Sequence, residues 1–216
     1  MKVDILMLVL MLLEYSKINT GQLLHEIFGI VLLVLFVIHN ILNINFYKNI
    51  FNGKYNFQRI IVTINDLAFL LCMLFTIGLG IPISQKIFIF LDLNGNITMR
   101  KLHTIFSYWS LVILSIHLGL HLKTIFIKLR NKIKDKMMIK LLIYILEIVV
   151  VMFGIRAMID TNLGAYLIGK LTFAIPTHII LSLLNNFIIV TSISIFIYNI
   201  EKILLEKKEG INNGNN

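Results

Sequence analysis

The sequence predicts an all-α polytopic membrane protein, a transmembrane helical bundle of about six spans, and three observations carry that prediction. Of 216 residues, 58% are hydrophobic and only 14% charged, with a mean hydropathy of +0.88. Water-soluble domains run near 45–50% apolar and about 25% charged. Apolar stretches of membrane length recur along the whole chain, and six of about 20 residues would take about 120 residues, leaving loops and no room for a separate soluble catalytic domain. Two prolines and 12 glycines are too few for a turn-rich β-barrel or a disordered coat. The single Cys72 excludes an internal disulfide. One integral membrane domain, 1–216, is expected.

The first segment, residues 3–18, reads as a short spanning helix with an unbroken apolar run from Ile5 to Leu13. A signal peptide fits less well, because Asp4 sits where the basic n-region would be and no small-x-small cleavage site follows. The second segment covers 22–42, and the third covers 60–83, closing with Gly78, Gly80 and Pro82. The fourth, fifth and sixth cover 101–122, 141–159 and 171–200, and 201–216 is a polar tail whose last six residues are expected to lack structure.

Lys and Arg counts orient the chain. With six spans and the N-terminus inside, the cytoplasmic set is Lys2, Lys48, Lys54, Arg59, the seven basic residues of the 123–140 loop, Lys202, Lys207 and Lys208. That makes 14 of 20. The other side keeps Lys17, Lys86, Arg100, Lys101, Arg156 and Lys170. The formal charge of +9 is then topological and carries no nucleic-acid inference. A multi-pass protein of a bacterial cytoplasmic membrane, both termini cytoplasmic, is expected.

Histidine is costly in a bilayer without a partner, so its placement is the most informative feature. Five of six lie on two helices: His25 and His39 on the second, His103, His117 and His121 on the fourth. Each helix holds a pair spaced by 14 residues, which puts both members on one face about 21 Å apart along the axis. The two helices are separated by one other and run parallel. His25 and His103 therefore share an outer level, and His39 and His117 an inner one. Two levels of facing imidazoles are what two stacked bis-histidine b haems between the second and fourth helices require. No C-x-x-C-H motif is present for covalent c-type attachment.

Superposing the helices on their histidines aligns 25–39 with 103–117, with seven identities in 15 positions. Gly29 and Ser107 fall together in that repeat, where a small side chain lets a porphyrin edge approach. Single buried histidines bonded to carbonyls are the bland alternative. A metal-transport site is another, and it would want carboxylates or thiols beside the histidines at one depth.

Around these histidines stand further motifs: Gly21-x-x-x-His25-Glu26-x-x-Gly29, His39-Asn40 with Asn43, and Phe46-Tyr47. Gly53-Lys54-Tyr55 with Arg59, Leu102-His103, Ser107-Tyr108-Trp109 and His117-Leu118-Gly119-Leu120-His121 follow. On these residues, over about 2–123, the chain resembles the flavinylation-associated cytochromes, small bacterial membrane proteins. Relatives tend to carry Trp where Phe46 and Leu122 stand here. The resemblance implies b-type haem electron transfer between the membrane pool and flavin-bearing proteins outside the cytoplasm. This chain has no flavin-attachment motif, so the flavin would belong to an extracytosolic flavoprotein partner. An electron-transfer protein or a subunit of a membrane oxidoreductase is implied, rather than a stand-alone enzyme. A quinone is a further candidate ligand.

Secondary candidates fill in the site. His121 lies one turn beyond His117 and is the alternative inner ligand or a propionate partner. Arg100 and Lys101 precede His103 and are placed to neutralise outer propionates, against snorkelling to the interface. Lys48 and Arg59 could act alike inside. His178 reads as a solvated or propionate-facing histidine rather than a ligand, and Tyr108, Trp109 and the nine Met residues as packing groups. Residues 87–91 are expected to roof the outer haem. Asp66 and Glu147, about 10 Å deep in apolar helices, are candidate proton acceptors at the inner level, against a hydrogen bond across helices or an Asp66–Arg59 pair. The rivals to the cytochrome reading are a histidine-based metal transporter and a cofactor-free structural membrane subunit.

Overall fold

A chain this apolar must satisfy its backbone N–H and C=O groups internally wherever lipid surrounds it, and uninterrupted helices do so. The computed structural model describes the backbone of residues 2–132, 137–170 and 176–214, and the side chains of residues 2–121, 137–170 and 176–204. In order, the helices are α1 (Lys2–Glu14), α2 (Lys17–Thr20), α3 (Gln22–Leu42), α4 (Ile44–Asn49), α5 (Phe57–Gly80), α6 (Ile97–Lys132), α7 (Met137–Asp160), α8 (Leu163–Leu167) and α9 (Ile179–Gly214). A 3₁₀ turn at Ile89–Leu91 interrupts the α5–α6 connection. No strand occurs among the described residues.

Among the described residues, five helices are long and apolar enough to cross a membrane: α3, α5, α7, the Ile97–His121 part of α6 and the Ile179–Leu204 part of α9. The first segment is different. With 13 residues, α1 reaches only about 20 Å, short of a ~30 Å hydrocarbon core. Its side chains explain what it does instead. Met7, Leu10 and Met11 join Leu32 and Phe36 of α3, Met73 of α5 and Leu114 of α6 in one buried cluster. Leu12 joins Leu111, Ala157, Leu163, Ile189 and Val190 in a second. Part of α1 thus forms core against α3 and α9, while Ile5, Leu6 and Val9 stay exposed, and α2 continues past it.

Helix boundaries follow local chemistry. Asn56 caps α5, its side chain accepting from Arg59 N at 2.8 Å, and Asn96 caps α6, accepting from Met99 N at 2.9 Å. Gly21 joins α2 to α3 at φ +84°, a left-handed value that costs a glycine nothing. The expected loop at 123–140 is shorter than its charge suggests, with α6 continuing to Lys132 and α7 starting at Met137. The lysines there are good helix formers. Residues 133–136, and 171–175 of the sixth segment, lie outside the described residues. α9 starts at Ile179, beyond Pro176, which has no N–H to donate and disfavours helix before it. It continues through most of the segment expected as a structureless tail, because 201–209 is built of Glu, Lys, Leu and Ile.

Small residues set the helix spacing. A Cβ on Gly119 of α6 would lie 2.7 Å from the Ser194 carbonyl of α9, and one on Gly154 of α7 would overlap the Ser192 side chain of α9. Close approach of this kind replaces the hydrophobic drive that helices lose in lipid. Buried polar groups add to it. Ser182 Oγ donates to Ser16 Oγ at 3.0 Å, Asn186 Nδ2 reaches Ser16 Oγ at 3.2 Å, and Ser194 Oγ donates to the Ser115 carbonyl at 2.8 Å.

Candidate functional site

The two histidines assigned to the outer level meet. α3 and α6 present His25 and His103 with ring centroids 6.2 Å apart and planes at 89°. Both line a cavity of about 310 Å³ together with Glu14, Lys17, Gly29, Gly80, Arg100, Ser107 and Tyr108. Its walls are thin where the repeat placed small residues. A Cβ on Gly80 would stand 3.3 Å from His103 Cε1, so any larger residue there would press on the imidazole. Ser107 turns its hydroxyl to the His103 carbonyl at 2.6 Å, and its own carbonyl accepts from Tyr15 Oη at 2.5 Å. Tyr108 stacks on Tyr166 at 4.4 Å and tilts against Tyr15, which confirms it as a packing residue that also closes the cavity.

Three of the four imidazoles are hydrogen-bonded through Nδ1, and the fourth, His25, has a carboxylate close beside it. A Glu14 carboxylate oxygen lies against His25 Nδ1. The Thr76 carbonyl is 2.8 Å from His103 Nδ1. At the inner level Asp4 Oδ1 is 2.8 Å from His39 Nδ1, and Asp66 Oδ1 is 2.8 Å from His117 Nδ1. Where Nδ1 faces a carbonyl or carboxylate it carries the proton, and a neutral ring then keeps an Nε2 lone pair, as a metal-ligating histidine does; at His39 that Nε2 has Asn43 Nδ2 3.5 Å away. Glu14, Asp4 and Thr76 carry no sequence signal for this role, because the contacts join antiparallel helices at separations no periodicity encodes.

The inner level differs from the outer one. Among the described residues His39 and His117 make no ring contact. His117 instead sits 4.5 Å from the ring of His121, with Phe69 stacked on its other side. Asp66, His117 and His121 bring one donor atom each within 4.8 Å of one another. Asn43 Nδ2 donates to the His39 carbonyl at 2.8 Å, and Tyr47 donates to the Asn40 side chain.

Several secondary candidates are placed elsewhere. Arg100 lines the outer cavity, whereas Lys101 packs its stem near Gly169. Arg59 does not face the inner histidines or Asp66. Its guanidinium donates to the carbonyls of Asn49 and Asn52 at 2.6 and 2.7 Å and lies over the Tyr55 ring, closing the 50–56 loop. Glu147 accepts from Asn199 Nδ2 at 3.0 Å, a bond across α7 and α9. His178 Nδ1 accepts from Ile180 N at 3.3 Å at the start of α9. Trp109 donates to the Leu167 carbonyl at 3.2 Å.

Glu26, which the sequence showed only as part of a motif, anchors the loop over the cavity. Its two oxygens accept from Ser84 Oγ (2.7 Å) and from the backbone N–H groups of Gln85 (2.8 Å), Lys86 (3.2 Å) and Ile87 (2.6 Å). Phe88 thereby lines the cavity while Ile89 and Phe90 remain 64% and 75% exposed, so the roof starts earlier than the 87–91 stretch predicted.

Comparison with known protein families, characterised proteins and solved structures gave no match to this chain.

Proposed function

We propose that this chain is a b-type haem membrane cytochrome that relays single electrons between an inner and an outer level of the bundle. The carrying observation is the His25–His103 pair, lining one cavity with ring centroids 6.2 Å apart, the Thr76 carbonyl on His103 Nδ1 and the Glu14 carboxylate beside His25. Two Fe–N bonds of about 2 Å, the usual metal–imidazole length, plus the ring radii give nearly the same centroid separation. The residues fit the group at the outer level. The cavity is thin-walled at Gly29, Gly80 and Ser107, and Lys17 and Arg100 at its margin suit propionates. At the inner level the fit rests on the donor chemistry of His39 and His117, with carboxylates behind both rings; His121 is the alternative to His117.

When bound, the haem iron supplies reversible one-electron chemistry. The protein's residues do the rest. His25 and His103 would offer Nε2 to the iron, Glu14 and the Thr76 carbonyl stand behind those rings, and the Glu26-anchored loop brings Phe88 to the cavity wall. The partners proposed are an extracytosolic flavoprotein at the outer face, membrane lipid, and a quinone as a further candidate.

The Asp66–His117–His121 group supports a second reading, a cation site of a metal transporter at one depth. Visible spectra of the purified protein decide. Reduced-minus-oxidised α and Soret bands are expected; a protein with no such bands that binds a divalent cation through His117 would be the transporter, and one that binds neither would be a structural subunit.

Sidedness is part of the proposal. Asp4 meets His39 and Glu14 meets His25, so α1 extends between the two levels antiparallel to α3 despite its shortness. Both termini then lie on the basic, cytoplasmic side. A reporter fused after Lys208 is expected to read cytoplasmic and one inserted at Asn94 external. The two reading alike would refute this topology.

A further inference from the structure

Towards the end of the bundle where α4 lies, α3 and α5 part. α3 packs on α1 and α2, and its contact with α5 is slight. The gap is a groove of about 340 Å³. Leu33, Val37 and Ile41 line one side at the four-residue steps that share a helix face, Leu70 and Leu74 of α5 line the other, and Ile44 of α4 stands at the end. From Leu33 to Ile41 the groove follows α3 for about 12 Å. Val37, Ile41 and Leu74 are exposed, although they lie in helices apolar enough to cross a membrane. Lipid hydrocarbon, not water, surrounds side chains at that depth.

The groove offers nothing to a polar head. Its two polar side chains are Asn40 and Tyr47. Tyr47 donates its hydroxyl to the Asn40 side-chain oxygen, and Asn40 Nδ2 donates to the Phe36 carbonyl at 2.7 Å. A quinone ring would find these donors already taken, whereas a hydrocarbon chain needs none.

Just beyond the groove the chemistry turns basic. Lys48 follows Ile44 by four residues, on the same face of α4, and is exposed; Lys54 is exposed on the 50–56 loop. Residues 43–65 carry Lys48, Lys54 and Arg59 and no Asp or Glu. Arg59 is turned to the loop carbonyls, so the two lysines are the cations presented outward. Of the carboxylates at this end, Asp4, Asp66 and Glu201 face His39, His117 and Gln58. Phe51, 95% exposed on the same loop, is an aromatic side chain where the spanning helices leave the hydrocarbon.

We propose that this groove holds one acyl chain of an anionic phospholipid whose phosphate lies at Lys48 and Lys54. The lipid fills the space that α3 and α5 leave between them, and so ties α3, the helix that carries His25 and His39, to the rest of the bundle. The apolar walls bind the chain, and the lysines select the sign of the headgroup. This site is independent of the haem reading and stands without it.

Native mass spectrometry of the purified full-length protein, stripped of lipid in detergent and titrated with phosphatidylglycerol or with phosphatidylcholine of the same chains, tests this. One phosphatidylglycerol is expected to be retained in preference to phosphatidylcholine. Lys48→Gln is expected to weaken phosphatidylglycerol binding about fivefold, the usual weight of one lysine beside an anionic headgroup, and to leave phosphatidylcholine unchanged. Val37→Trp fills the groove and should abolish retention of both. Should that variant fail to fold, Lys48→Gln decides alone, because its side chain stands in solvent. Equal binding of the two lipids by the wild type would mean only the shell that surrounds any membrane protein, and overturns the proposal. An unchanged affinity in Lys48→Gln, phosphatidylglycerol kept by a folded Val37→Trp, or displacement of the lipid by an uncharged isoprenoid quinone overturns it equally.

Discussion

Replacing His25 or His103 with Ala is expected to abolish the outer haem and leave about half the haem per chain, because one imidazole cannot hold a six-coordinate iron between two helices. His39→Ala and His117→Ala are expected to remove the inner haem alone. The two sets are separable because the levels are about 21 Å apart and share no ligand. The structure adds a control. His25→Ala strands the Glu14 carboxylate, whose side chain is 13% exposed, without the imidazole it faces. A buried carboxylate without its partner is destabilising by itself. The double variant His25→Ala/Glu14→Gln should therefore recover stability without recovering haem. Pyridine haemochrome assay of each variant provides the count. Full haem content in all four single variants would refute the ligand assignment, and loss in His121→Ala with retention in His117→Ala would exchange those two roles.

The second large effect concerns how the bundle closes. Gly154→Ala is expected to destabilise the protein by ~1–3 kcal/mol, since the added methyl falls inside the Ser192 side chain and α7 must move off α9. Most helix packing in lipid comes from such close contact, so a small shift loses many of them. Ser192→Gly in the same background removes the obstructing side chain and should recover most of the loss, against a cost of roughly 0.5–1 kcal/mol for Gly within a helix. The non-additivity of this cycle, measured by unfolding in detergent, is the readout. Equal stability of Gly154→Ala and wild type would mean that α7 and α9 do not approach this closely.

Hydropathy and histidine spacing made much of the protein legible before any coordinates. The span of α3 is the one the sequence predicts, residue for residue. The pairing of His25 with His103 follows from two quantities a sequence contains, the helical rise and the parity of crossings. The small residues at Gly29 and Ser107 were found in the same way, through the repeat.

What the sequence could not supply were relations between antiparallel neighbours. Glu14 and His25 stand on different helices, as do Thr76 and His103, so their meeting depends on how α1 and α5 slide against α3 and α6 and not on any interval along the chain. The same ignorance of neighbours turned Arg59 toward the inner site on paper, when its guanidinium serves the 50–56 loop, and left Asp66 without the His117 it holds. It also hid what the first helix packs against. Its apolar run is the same to a hydropathy count whether it faces lipid or the clusters around Met11 and Leu12. Composition and periodicity placed helices long and apolar enough to cross a membrane and two histidine pairs at matched spacing along them. Only packing decided which groups stand behind each imidazole, because a hydrogen bond of 2.8 Å depends on the register between helices, and that register is set by side-chain volumes from several segments at once.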